Sequence, residues 1–107
     1  MADEALLVFS TFPDVGTARR IGRQLVEEHC AACVNILPQV ESIYWWEGKV
    51  EGANETLALF KTTADRYAAL ETTLRQLHPY EVPEIIALPI DRALPDYLRW
   101  VAGNCAA

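Results

Sequence analysis

Val40-Glu41-Ser42-Ile43-Tyr44-Trp45-Trp46, followed by Glu47-Gly48-Lys49 and then by Thr56-Leu57-Ala58-Leu59-Phe60, is the stretch that decides the fold. Two runs rich in β-branched and aromatic residues, separated by a polar triplet with a central glycine, predict a β-hairpin. Gly52-Ala53-Asn54 interrupts the second run, and the expectation is a bulge at that point.

Upstream, Ala5-Leu6-Leu7-Val8-Phe9 is a continuous apolar run that ends in Ser10-Thr11-Phe12-Pro13-Asp14, the pattern of a strand buried on both faces that feeds a turn. Asp14 then caps a helix in which Ala18, Ile21 and Leu25 recur on one face, with Arg19, Arg20, Arg23, Gln24 and Glu27 outward, running to about His29. Downstream, Thr62 and Asp65 have the spacing of a capping box, and Tyr67, Leu70, Leu74 and Leu77 trace a second helical face. Pro79 forces His78 out of helical geometry and ends that helix. Ile85-Ile86-Ala87-Leu88-Pro89-Ile90 reads as a further strand, and Pro95 stands at the first position of a short helix with Leu94, Leu98 and Val101 on one side.

The predicted order is βαββαβ with an added C-terminal helix, a single ferredoxin-like α+β sandwich domain over residues 1–107 with no linker or internal repeat. Two helices cover one face of such a sheet. The strands are nevertheless apolar at both parities, as in Leu6, Leu7, Val8 and Phe9, so the second face needs a cover from outside the chain.

Composition narrows the function. Fifteen acidic against nine basic residues give a net charge of −6, and the basic residues are scattered apart from Arg19-Arg20, so no footprint for phosphate backbones exists and nucleic acid is excluded as a partner. Met1-Ala2-Asp3-Glu4 lacks the basic region of a signal peptide, and no apolar run approaches the ~18 residues of a membrane span. Cys30, Cys33 and Cys105 are an odd set without a disulfide framework, which suits a reducing, cytoplasmic setting with no membrane association. Cys30-Ala31-Ala32-Cys33 has the C-x-x-C spacing, but it follows the C-terminus of a helix, where the dipole opposes a thiolate, and no second pair completes a zinc site. No nucleophile elbow, phosphate-cradling loop or metalloprotease helix is present, and the expectation is a protein that is not an enzyme and carries no organic cofactor.

Five segments in register, A-A-C-V-N-I-L-P (31–38), Y-W-W-E-G-K-V-E (44–51), K-T-T (61–63), H-P-Y-E-V-P-E-I (78–85) and Y-L-R-W (97–100), resemble the CutA divalent-cation-tolerance family over residues 5–100. The resemblance implies a homotrimer in which the hairpin arms of neighbouring copies pair edge to edge, with Ile43, Tyr44 and Trp45 in the interface. That arrangement would also remove exposed strand edges. It further implies a response to metal ions, with copper or another divalent metal bound. His78 and Cys33 are the matching metal candidates; some members of the family carry Cys-Thr where this chain has Ser10-Thr11, and His-His where it has Leu77-His78. Pro79 would leave the His78 imidazole near the mouth of a cleft formed with Tyr80, Glu81 and Glu84; the more ordinary readings are a helix-terminal cation for His78 and a buried structural thiol for Cys33.

A second expectation is a small-molecule or anion pocket at a subunit junction, drawing on Lys61, Tyr80, Glu81, Glu84, Trp46, Tyr97 and Trp100, with Pro79 and Pro83 stiffening the loop between them. Lys61 and Glu84 could instead pair with each other, and the aromatic residues could serve as interface core. The alternatives to metal response are a ligand-sensing module with the architecture of the nitrogen-regulatory PII proteins, and a structural or anchoring trimer. Each leaves room for an unidentified metabolite or protein partner.

Overall fold

The computed structural model describes residues 4–106; the reading of Met1-Ala2-Asp3 lies outside them. Seven elements follow in the order β1 (Ala5–Phe12), α1 (Val15–Glu27), β2 (Cys33–Trp46), β3 (Lys49–Thr63), α2 (Ala64–Leu77), β4 (Ile86–Pro89) and α3 (Pro95–Asn104). The strands form one antiparallel sheet in the order β2-β3-β1-β4, the ferredoxin-like α+β arrangement that the element order predicts.

Strand alternation divides the side chains between two faces. Val8, Phe12, Ala58 and Phe60 are sealed beneath Ala18, Ile21 and Leu25 of α1 and Leu70 and Leu74 of α2, forming the core between sheet and helices. Helix α1 lies close to β2 because Gly22 has no side chain: a Cβ there would come within 3.1 Å of Val34 Cγ1.

The opposite face is left open. Cross-strand register sets it out in rows: Leu88, Leu7, Lys61 and Cys33; then Ile86, Phe9, Leu59 and Asn35; then Thr11, Leu57 and Leu37. Helix α3 crosses one end of the sheet, where Val101 and Cys105 pack on Ala32 and His29 Nδ1 meets the Asn104 carbonyl oxygen at 2.9 Å.

Local boundaries depart from the sequence expectations: the last strand is Ile86–Pro89, one residue shorter at each end than expected. Helix α1 stops at Glu27, and His29 stands in the left-handed region at φ 60. The hairpin is longer than its apolar runs, and its bulge falls between Leu37 and Val40 of β2, whereas Gly52, Ala53 and Asn54 pair regularly with Ile43, Ser42 and Glu41. The cause is Pro38, which has no N–H to give to the ladder. Its carbonyl is satisfied by the Thr56 hydroxyl at 2.9 Å. Finally, Thr62 does not cap α2. It is still part of β3, its hydroxyl donates to the Cys30 carbonyl at 2.6 Å, and Thr63 occupies the N-cap without a side-chain bond.

Beyond the bulge, β2 and β3 continue alone as a two-stranded arm, which gives the chain its 46 × 25 × 22 Å extents. Glu47 and Gly48 form its tip at φ 50 and 80, the positive values that a two-residue type I′ turn requires.

Candidate functional site

Three groups of polar and aromatic side chains stand out, each placed by a different element. The first lies at the root of the arm. Pro79 turns the chain out of α2, leaving His78 extended at φ −70 and ψ 135. This turn carries the imidazole inward, and not to the mouth of a cleft with Tyr80, Glu81 and Glu84 as the sequence suggested: His78 is 7% exposed and stacks on Phe12 at 4.7 Å between centroids. Nε2 donates to the Thr11 carbonyl oxygen at 2.8 Å, and Nδ1 accepts from the Tyr80 backbone N–H at 3.1 Å. Those partners fix the neutral tautomer with the proton on Nε2, and burial holds the ring below the usual histidine range. The helix-terminal cation reading is therefore set aside. Tyr80 in turn donates its hydroxyl to Glu55 Oε2 at 2.7 Å, tying the loop after α2 to β3. Glu81 and Glu84 are exposed on that loop.

The second group lies at the end of the sheet crossed by α3. Cys33 is partly exposed, its Sγ 3.6 Å from the Tyr97 hydroxyl, and Tyr97 stacks on Trp100 at 5.6 Å. The bond to Cys33, then burial, pushes the Tyr97 phenol up to about 12, so it stays protonated at neutral pH. Directly across the ladder from Cys33, Lys61 donates to Asn35 Oδ1. Lys61 does not pair with Glu84. A groove of about 490 Å³ opens beside this group, lined by Val26, Val34, Cys33 and Trp100 among others.

The third group is the arm itself. Ile43, Tyr44, Trp45 and Trp46 are 71%, 41%, 75% and 59% exposed in the single chain. Trp46 is thus at the arm tip, Tyr80 at its root and Trp100 within α3, so one chain does not gather the expected pocket residues around a single cavity. Asn35 and Glu55 were missed in the sequence. Asn35 follows Cys33 by two positions and so had to share its face, whereas nothing local marks Glu55 as the partner of Tyr80.

A match to the family described as CutA1 divalent ion tolerance protein runs through residues 6–104. The chain belongs to the CutA family. It is 47% identical over 93 residues to Protein CutA of Mus musculus, covering 87% of this chain and 52% of that protein. It is likewise 47% identical over 98 residues to the divalent-cation tolerance protein CutA of Thermus thermophilus, covering 92% of this chain and 95% of the other. The chain therefore spans about half of the mouse relative but nearly all of the bacterial one. Its structure superposes on the periplasmic divalent cation tolerance protein CutA from Archaeoglobus fulgidus with a TM-score of 0.92 at 35% identity, covering 95% and 99% of the two chains. The CutA family is named for tolerance of divalent ions and not for a reaction.

The metal expected from the family can be tested against these donors. Both nitrogens of His78 are engaged within the protein. Cys33 lies in the row of Leu7 on the open face, four residues along β1 from Thr11, the His78 contact. Ser10, which stands where some CutA proteins carry a cysteine, is 0% exposed under the helices. Among the described residues no three His, Cys, Asp or Glu side chains come together as a metal site. The residues of one chain do not fit a resident metal at Cys33 and His78. No helix among the described residues is long and apolar enough to cross a membrane.

Proposed function

We propose that the protein serves divalent-cation tolerance as a homotrimeric ligand-sensing module, without enzymatic chemistry and without a resident copper ion on Cys33 and His78. The observation that carries this reading is the open sheet face. Leu7, Phe9, Leu57, Leu59 and Leu88 stand in register there, and two of the three helices lie on the other side. An apolar face of this extent calls for a protein cover. The exposed arm supports a second copy of the same chain as that cover, because Ile43 and Trp45 lie on an unpaired edge strand that a neighbouring arm can extend. Three copies follow from the family resemblance of the arm motif. The free thiols of Cys30, Cys33 and Cys105 support a reducing compartment.

Sedimentation of the reduced, metal-free protein tests the assembly, and a monomeric mass would sink it. Titration with copper and with zinc tests the metal reading. The expected isotherms are the same for the wild type, His78→Ala and Cys33→Ser, whereas micromolar binding abolished by either substitution would restore a resident ion.

A further inference from the structure

We propose that Lys61 and Asn35 form a binding site for the carboxylate of a small organic acid on the open face of the sheet. The inference deepens the reading above by giving the covered face a ligand, and assembly and binding are measured separately below.

Lys61 is the only charged side chain in the three cross-strand rows of that face, with Leu7 on one side and Cys33 on the other. Among the described residues no carboxylate pairs with it; its one hydrogen-bonded partner is the Asn35 Oδ1. Accepting that bond leaves the Asn35 NH₂ and the other ammonium hydrogens as adjacent donors, with no acceptor between them. When a second copy covers the face, an ammonium held by a neutral amide alone becomes an uncompensated charge in an apolar setting. A bound anion removes that penalty.

The surroundings select the anion. A carboxylate brings one negative charge and two oxygens, matching one ammonium and one amide. A phosphate dianion brings a second charge and further oxygens beside Leu7 and Leu59, where no donor answers them. An organic acid instead lays its hydrocarbon on those leucines. The Tyr97 hydroxyl beside Cys33, stacked against Trp100, closes the end of the site near α3.

The test is calorimetric titration of the reduced full chain with butyrate and with inorganic phosphate at constant ionic strength, with the sedimenting mass recorded alongside. Saturable butyrate binding is expected, with phosphate weaker by about tenfold or more. Lys61→Met removes the charge, and Asn35→Asp supplies Lys61 with a competing internal carboxylate. Both should weaken butyrate by about tenfold or more while the mass stays unchanged. Absence of butyrate binding in the wild type, binding that survives either substitution, or phosphate binding as tight as butyrate would overturn the proposal. So would dissociation of the assembly by Lys61→Met, because Lys61 would then pair with a carboxylate of a neighbouring copy. A monomeric wild type that still binds butyrate would leave this site standing and remove only the trimer.

Discussion

The Tyr80 hydroxyl donates to Glu55 Oε2 at 2.7 Å, joining the loop after α2 to the strand that carries the arm. One residue before the proline of that loop, His78 receives the Tyr80 backbone N–H, so a single turn of chain is tied at both its backbone and its side chain. The root of the arm is held by polar bonds, whereas its length is held by strand pairing alone.

Tyr80→Phe removes one charge-assisted bond and keeps the ring. The expected loss is about 1–2 kcal/mol, because the Glu55 carboxylate regains water as the phenol leaves. Urea unfolding of the reduced protein measures it, and an unchanged midpoint would show that Glu55 is equally well solvated without the phenol.

His78→Ala deletes a buried ring that stacks on Phe12 and strands the Thr11 carbonyl and the Tyr80 N–H. A loss of about 2–4 kcal/mol is expected. His78→Gln, which can replace one of the two bonds, should lose less. Equal losses in the two variants would assign the effect to ring packing.

Acid and alkali both act on these groups, in directions set by their shifts. His78 is depressed below the usual 6.5 by burial, so the unfolded chain binds the proton more readily than the folded one. Stability is therefore full above about pH 6.5 and falls as the pH drops from there toward the folded value. Tyr97 is raised to about 12, chiefly by its bond to Cys33, and its contribution is full below the ordinary value of 10 and lost as the pH climbs toward 12. Tyr80, raised first by burial and then by Glu55, adds to the alkaline loss. Thermal melts across pH read both limbs; His78→Gln should flatten the acid limb and Tyr97→Phe part of the alkaline one.

Trp45→Ala and Ile43→Asp place their changes on side chains that are 75% and 71% exposed in the single chain. Neither should matter to a monomer beyond a few tenths of a kcal/mol. In the proposed homotrimer both should lower the sedimenting mass or the concentration at which it holds. Unchanged masses for both variants would remove the arm from the interface.

The arm tip offers a gain. Glu47 stands at φ 50 ahead of Gly48 at φ 80, and asparagine takes the left-handed conformation more readily than glutamate. Glu47→Asn should stabilise by about 0.5 kcal/mol, and Gly48→Ala should destabilise by about 1 kcal/mol. Paired thermal melts decide both signs.

The amino-acid sequence by itself determined the element order, the hairpin, the Asp14 cap, whose Oδ1 takes the Thr17 N–H at 2.7 Å, and the uncovered second face. These follow from period, turn chemistry and proline stereochemistry, which act over a few residues. Family membership was equally legible, in five short motifs. Only the tertiary structure decided that the Pro38 carbonyl takes the Thr56 hydroxyl at the bulge and that Thr62 serves the Cys30 carbonyl in place of a cap. It alone turned His78 inward as a neutral, fully bonded ring and set Lys61 against Asn35. Apart from the bond from the Tyr80 N–H to His78, two residues away, each of those contacts joins residues at least 18 positions apart along the chain. A side chain's hydrogen-bond partner is chosen by which strands lie next to each other, and spacing along the sequence carries no record of that choice.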